Sequence, residues 1–487
     1  MVPVFLIVVA VVMAVLILLA SIYILVYFQA EEDRNTAWAP KVAVVTGLTL
    51  TALLVLLPPM DVANRSSGDH LDMALLYQIM FVVIAVMVII LIPFLIFYFE
   101  AEDPENPRGQ LCWAMVYESI TLGIAAVVLV LMWIFLGRAE LPVTQYVYDA
   151  QLLNATALTL SAGCGSSDGC ALGQNNHYEI GVTPIVYIMA LSSFIGWTFL
   201  AIFGGIGMAA LPLDLILAYK SRPQSITLQD YSKQRLMLHE RAKKLRSFGQ
   251  TLGMDAARSR KRRERVAYNK YKQAVYFLEQ DWAKVKVAYK QRGGNPLRYI
   301  AQAILGVFCL ILSIAWVVHL LLYVLLQPPI TPLLNDFFIA MDSVFPLFGT
   351  LSYGAFTFYL FFCVLKGCLK IGLRCFCMTI HPMEIGNTMM NSMLFNVWML
   401  LFTAPAIVQF TASAFSTYAR LTAVDMLFGN QVENLIFLRY IYRYDVFEWG
   451  MVGQALLAAL YLAIRPRERR ALEPTSDDIV ELEELRA

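Results

Sequence analysis

The chain has 487 residues, 59% hydrophobic and 15% charged, with a formal net charge of +1. Soluble domains run at roughly 45–50% apolar and 25% charged, so this balance excludes an ordinary soluble protein and indicates a membrane protein.

A helix needs about 20 mostly apolar residues to cross the hydrocarbon core. Nine windows qualify, at residues 3–28, 42–59, 73–99, 111–136, 184–212, 298–326, 344–365, 385–411 and 447–464. The first lacks a positive amino-terminal region and a small-residue cleavage site, so it is expected to stay as an anchor rather than leave as a signal peptide. Pro58 and Pro59 predict the end of the second helix, Pro93 an interruption of the third and Pro405 an interruption of the eighth. Broken helices occur at transporter binding sites, and also where neighbouring groups re-satisfy the backbone. No inverted repeat is visible.

The loop 137–183 follows the fourth window and holds the sequon Asn154-Ala155-Thr156 and the pair Cys164 and Cys170. Glycosylation at Asn154 and a Cys164–Cys170 disulfide both belong to an oxidising, lumenal compartment; an unused sequon and two free thiols are the alternatives. The other six cysteines lie in or beside the apolar windows and read as small buried hydrophobes. In FGGIGMAALPLDLILAYK, residues 203–220, Gly204, Gly205 and Gly207 predict close approach of a neighbouring helix.

Residues 213–297 hold 20 of the 37 Lys+Arg but only 7 of the 36 Asp+Glu. The positive-inside rule makes this segment cytoplasmic, which places the N-terminus outside or lumenal and the C-terminus in the cytosol. Lys366, Lys370, Arg374 and Arg465, Arg467, Arg469 and Arg470 fall on the same side, whereas Arg420, Arg439 and Arg443 run against it. Within the segment, Tyr231, Leu238, Ala242 and Leu245, then Tyr271, Val275, Leu278, Trp282, Val285 and Tyr289, recur at helical steps that make a coiled-coil seam. An antiparallel hairpin with its break at 249–257 follows. RSRKRRER, residues 258–265, suits anionic lipid or a protein partner, or is a solvated basic face; without a recognition motif, nucleic acid is not expected.

Away from the window edges, ionisable residues are few: Glu118 and His319; Glu448 sits at the start of the ninth window. Glu118 and His319 are each a candidate to line a polar cavity or to pair with Asn391, Asn396 or Gln409; a structural hydrogen bond between helices is the alternative. Cys375, Cys377, His381 and Glu384 form a metal-like cluster, but Pro382 disfavours the helix that would bring His381 and Glu384 together, and no metal is expected. Phosphate-loop, nucleophile-elbow, zincin and dinucleotide motifs are absent, so neither an enzyme nor a cofactor is expected.

The blocks SIYILVYFQAEEDRNTAWAPK (21–41), LPPMDVANR (57–65), IPFLIFYFE (92–100), GIGMAALPLDLI (205–216), SIAWVVHLLLY (313–323), TIHPMEIGNTMMNSMLFNV (379–397) and RYIYRYDVF (439–447), in this order around a charged insert, carry a resemblance. The sequence resembles the lipocalin-interacting membrane receptor, or LMBR-like, family, in its plant and protist branch. The resemblance implies nine membrane helices, an outer N-terminus and a cytosolic C-terminus. It also implies one of two roles: lysosomal escort and export of cobalamin beside an ABC transporter, or surface reception of lipocalins. It carries no catalytic residues, and the Cys375 and Cys377 pair is outside its pattern.

The expectation is an all-α polytopic membrane protein with about nine transmembrane helices and a cytoplasmic helical hairpin between the fifth and sixth. Its regions are 1–212, the hairpin 213–297, 298–464 and an acidic tail 465–487. Its expected role is that of a receptor or transport-accessory protein of the plasma membrane or endolysosomal system. Membrane lipids, an ABC transporter or trafficking partner docked through 225–291, and a secreted or small-molecule ligand are the expected partners. A transporter of a cobalamin-like or lipidic molecule is the alternative, and a constitutive subunit of a larger assembly a third.

Overall fold

A computed structural model describes residues 2–29, 38–66, 68, 71–100, 107–145, 174–220, 222–252, 262–290, 292, 295–345, 347–371, 373–375, 378–381 and 388–464. Among the described residues, nine helices are long and apolar enough to cross a membrane. The protein is an all-α integral membrane protein.

The first two crossings are α1 (Val2–Phe28) and α2 (Trp38–Ser66). The third is composite: α3 (Met73–Val86) passes through a π turn, Met87–Leu91, into α4 (Ile92–Glu100). The fourth is α5 (Pro107–Leu136), and the fifth joins α6 (Pro184–Phe199) through a π turn, Leu200–Gly204, to α7 (Gly205–Lys220). Then come α8 (Leu228–Leu252) and α9 (Arg262–Lys290), too polar to cross a membrane. The sixth crossing is α10 (Pro296–His319) with a π turn at Leu320–Val324. A short α11 (Leu333–Val344) precedes the last three crossings: α12 (Phe348–Ile371), α13 (Met390–Ala414) and α15 (Val446–Ile464), with α14 (Arg439–Arg443) before the last.

Pro58-Pro59 and Pro405 behave differently from expectation, whereas the third crossing is interrupted beside Pro93. Helix α2 does not end at Pro58-Pro59 but runs to Ser66, and α13 passes Pro405 unbroken. A proline loses one hydrogen bond and crowds the carbonyl four residues earlier, yet inside a bundle the neighbouring helices absorb this. The Pro59 ring packs where Gly354 of α12 lacks a side chain. At Pro93 the crowded carbonyl falls inside the π turn Met87–Leu91, whose wider ring makes room for it.

The chain forms two compact units, Met1–Ala210 with Leu312–Ala458, and Leu211–Ile311 with Ala459–Ala487. In the first, α13 is the central helix: 83% of its span is enclosed by protein, against 0% for α5. Helix α13 is surrounded by α2, α4, α6 and α12, so its polar side chains as well as its apolar ones face protein. Lipid is as apolar as leucine, so close packing rather than escape from water holds these helices together. Glycines make that possible. A Cβ on Gly207 would collide with the Cys363 carbonyl, and one on Gly205 would lie 2.5 Å from the Met451 carbonyl.

Two ends of this unit are tied across distant loops. Strand β1 (Arg138–Gln145) pairs antiparallel with β2 (Gln174–Gly181), and it also meets the stretch after α13. There Glu140 N–H donates to Asn434 O at 2.9 Å, and Ile436 N–H donates to Arg138 O at 3.1 Å. At the other end Thr388 N–H donates to Phe28 O at 3.1 Å. Nearby, β3 (Leu373–Cys375) pairs with β4 (Met378–His381), so His381 sits on a strand rather than a helix.

In the second unit, α8 and α9 pack antiparallel. Leu245 and Phe248 are buried against Tyr271, Ala274 and Leu278, and Tyr231 stacks on Tyr289 with ring centroids 4.2 Å apart. Trp282, expected in the seam, is 40% exposed instead. Its neighbour Asp281 takes the inner position, 3.5 Å from the guanidinium of Arg241. The α8 face opposite Asp281 presents that arginine, which draws the carboxylate inward and turns the indole out.

Candidate functional site

The candidate residues named from sequence do not assemble into one site. His319 closes α10 fully buried. Leu334 N–H donates to its Nδ1 at 3.3 Å, so Nδ1 is bare and Nε2 carries the proton, which it donates to Ala414 O at 2.9 Å. The ring is packed between Trp316, Tyr323 and Phe415. His319 thus ties α10, α11 and α13 together. Asn335 extends the tie, donating to Ala414 O at 3.4 Å and accepting from Tyr418 N–H at 3.0 Å.

Glu118 lies on α5, 5% exposed, with neither carboxylate oxygen hydrogen-bonded. The first half of α5 is held to α4, where Gln110 donates to Tyr98 O at 2.7 Å and Tyr117 lies beside Phe97. Its second half stands clear of protein until Trp133 Nε1 donates to Val182 O at 2.9 Å. Glu118 bonds neither His319 nor an α13 amide.

Asn396 donates to Ser392 O at 2.7 Å and accepts from the Cys368 thiol at 3.5 Å. The cavity beside it, lined by Ile24, Leu48, Cys368, Met393 and Leu400, holds about 10 Å³. That admits one water and no cargo. Asn391 leaves its Oδ1 buried and unbonded. Asn154, Cys164, Cys170, Cys377 and Glu384 lie outside the described residues, as do 253–261 with the first half of the basic run.

One polar cluster was missed, apart from Gln409, because it forms around the stretch between α13 and α15. Gln409 of α13 is fully buried, and its Oε1 accepts from Ser193 Oγ at 2.6 Å and from Trp197 Nε1 at 3.0 Å. Both donors come from α6. Its Nε2 faces the Glu433 carboxyl and the Tyr442 hydroxyl without closing a hydrogen bond of normal length. Trp197 stacks on Phe447 and lies 6.2 Å from the Tyr442 ring.

Three carboxyls gather here. Burial, opposed by Gln409 and reinforced by the charges of Asp425 and Asp445, raises Glu433 to about 7. Burial raises Asp445 to about 6. Glu448, one turn into α15, is 5% exposed with Oε2 unbonded. The Tyr442 hydroxyl is likewise buried and unbonded, and burial together with the charges of Glu433 and Glu448 raises its pKa. Such a cluster can hold and exchange a proton. Among the described residues no group of three His, Cys, Asp or Glu is placed to hold a metal ion.

Around the cluster, charge is anchored in pairs. The Arg439 guanidinium is bonded to the Glu140 carboxylate, joining α14 to β1. Tyr418 donates to Asp342 Oδ2 at 2.7 Å, while Asp342 Oδ1 caps the start of α12 by accepting from Gly349 N–H at 2.8 Å.

A family model described as LMBR1-like membrane protein matches residues 6–276 and 257–452. The chain belongs to the LMBR1-like family. A LIMR family protein of Dictyostelium discoideum is 34% identical to it, the alignment covering 97% of this chain and 99% of the relative. One from Oryza sativa subsp. japonica is 32% identical over 94% of this chain and 96% of the relative, and one from Arabidopsis thaliana 33% over 94% and 95%. No solved structure matches the chain. In this LMBR1-like protein the resemblance blocks coincide with structural ties. LPPMDVANR supplies Asp61, which accepts from Val424 N–H, and Asn64, which exchanges two hydrogen bonds with Leu71. RYIYRYDVF supplies Arg439, Tyr442 and Asp445.

Proposed function

We propose that the protein is a non-catalytic receptor or transport-accessory protein that docks a partner protein through the hairpin of α8 and α9. One observation carries this reading: the hairpin satisfies its own seam and still leaves Leu236 61%, Met237 39% and Trp282 40% exposed. Apolar side chains of that size, in a segment (213–297) of 20 basic and 7 acidic residues, suit a protein with an acidic, apolar-centred face, such as a transporter subunit or a trafficking adaptor. The excess of basic residues supports a cytosolic hairpin, and with it an outer N-terminus and a cytosolic C-terminus. Plasma membrane and endolysosomal membranes both fit.

The test is full-length protein purified in mild detergent, with its co-purifying proteins quantified. Replacing Leu236 and Trp282 together by Glu is expected to remove the associated protein while membrane insertion stays intact. Equal recovery from both would overturn the proposal.

A second reading is transport of a bulky, mostly uncharged molecule, cobalamin-like or lipidic. It is supported by the π turns in three crossings and by the unpaired Glu118 beside the free half of α5. Uptake of cyanocobalamin or a labelled lipid into proteoliposomes, lost in Glu118→Ala, would favour it over docking.

A further inference from the structure

We propose that Glu433, Asp445 and Glu448, gathered about Gln409 and Tyr442, form a proton-binding site that links the ends of α6, α13 and α15. This proposal does not depend on the docking reading.

The geometry asks for a mobile proton. Gln409 is locked by its oxygen, which takes two donors from α6, so its amide cannot flip and Nε2 must point at Glu433 and Tyr442. That Nε2 and the Tyr442 hydroxyl close no hydrogen bond of normal length and Glu448 Oε2 has no donor, all three atoms being buried. Unpaired buried polar atoms are costly, and three in one cluster call for a missing participant. A metal does not fit, since no trio of ligating side chains is placed for one. A proton does. When it sits on one carboxyl, it removes a charge that repels the others. When it leaves to water, the freed carboxylate is an acceptor for Gln409 Nε2.

The surrounding charges favour uptake. From the stretch after α13 come Asp425 and Glu433, and from the start of α15 come Asp445 and Glu448, all acidic. Helices α6 and α13 contribute only neutral partners, Ser193, Trp197, Gln409 and Ser413, and Gln327 faces Asp445. Arg439 is committed to Glu140, and Arg443 is exposed. Like charges crowded in a low dielectric cannot all ionise, so the group retains a proton that isolated carboxylates would have lost. Its titration falls where Glu433 and Asp445 are held, at about 7 and about 6. An outer face that moves between neutral and mildly acidic compartments would change the charge of this cluster, and with it the tie between three helices.

The test is the pH dependence of the unfolding midpoint of the full-length protein in detergent, read by intrinsic fluorescence, together with infrared detection of protonated carboxyl. Wild type is expected to lose stability as pH rises from about 4.5 to about 7, and its protonated-carboxyl band to fade as pH passes through about 6 and about 7. Glu433→Gln, a neutral mimic of the protonated acid, should flatten most of that slope and remove part of the band, whereas Glu179→Gln, exposed beside Arg138, should leave both unchanged. If Glu433→Gln does not fold, Asp445→Asn and the wild-type infrared titration carry the same test. An unchanged slope in both variants, or no protonated carboxyl in wild type near neutral pH, overturns the proposal. So does restoration of high-pH stability by sodium, potassium or calcium ions that is lost in Glu433→Gln, which would identify a cation site instead.

Discussion

Asp61, near the end of α2, accepts a hydrogen bond from the backbone N–H of Val424 at 2.9 Å across 363 residues of chain. Both residues are buried, so this carboxylate fixes the stretch between α13 and α15 onto the second crossing. Asp61→Ala leaves that N–H unpaired inside protein and is expected to lower stability by about 1–3 kcal/mol. Asp61→Asn keeps an acceptor oxygen and should lose less. Unfolding midpoints in detergent decide it, and equal values for Asp61→Ala and wild type would remove the tie from the account.

Close helix contact gives a second contrast. Gly207→Ala drives a methyl into the Cys363 carbonyl, so α7 and α12 must part, at a cost of about 1–3 kcal/mol. Gly123, on the free half of α5, has nothing within 4 Å of an added Cβ. Gly123→Ala is therefore expected to be neutral or to stabilise by about 1 kcal/mol through helix propensity. The two midpoints should move in opposite directions or differ by well over the measurement error.

Seam and outer face of the hairpin should separate cleanly. Leu245 is 4% exposed in the seam, and Leu245→Ala is expected to destabilise the packing by about 2–5 kcal/mol and to speed proteolysis within 228–290. Trp282→Ala should leave the proteolysis rate unchanged, because that ring lies outside the seam. A faster cut in Trp282→Ala would place the indole in the packing.

The carboxyl cluster sets a pH sense. Glu433 is held at about 7 against an ordinary 4.5, and Asp445 at about 6 against 3.8, burial being the larger cause in each. Between those values the folded state keeps protons that the unfolded chain gives up. Their contribution to stability is therefore present at low pH and is lost as pH rises through about 6 and about 7. A midpoint that rose across this interval would reverse the sense assigned to the pair.

The ion pair of Arg439 with Glu140 joins α14 to β1, and reversing one charge sets like charges together. Arg439→Glu should lower the midpoint, and adding Glu140→Arg should recover part of the loss. A double variant no better than the single one would mean that the backbone bonds of Glu140 and Ile436 alone hold the two segments.

The nine crossings were legible because the hydrocarbon core sets one length and one composition for every spanning helix, whatever its neighbours. The glycines of the fifth crossing and most of the hairpin seam were legible for a similar reason, since both repeat along a single helix. Pro58-Pro59 and Pro405 misled because helices enclosed by neighbours run on through a proline, and those neighbours, such as α12 with Gly354 against the Pro59 ring, lie elsewhere in the chain. Trp282 misled because helical spacing alone cannot tell which of two adjacent positions faces a buried arginine.

Glu118 and His319 stood out as ionisable residues in apolar windows, yet only the fold separates them: one is tied at both ring nitrogens, and the other is left unbonded. Glu433, Tyr442 and Asp445 lay in a stretch that reads as a polar loop, where charged residues ordinarily face water. What the sequence alone determined was where the chain crosses and which segments are polar, because those depend on local composition. Which polar groups meet was decided by tertiary packing, because Ser193, Gln409, Glu433 and Glu448 belong to separate elements and acquire shared chemistry only when the helices close around them.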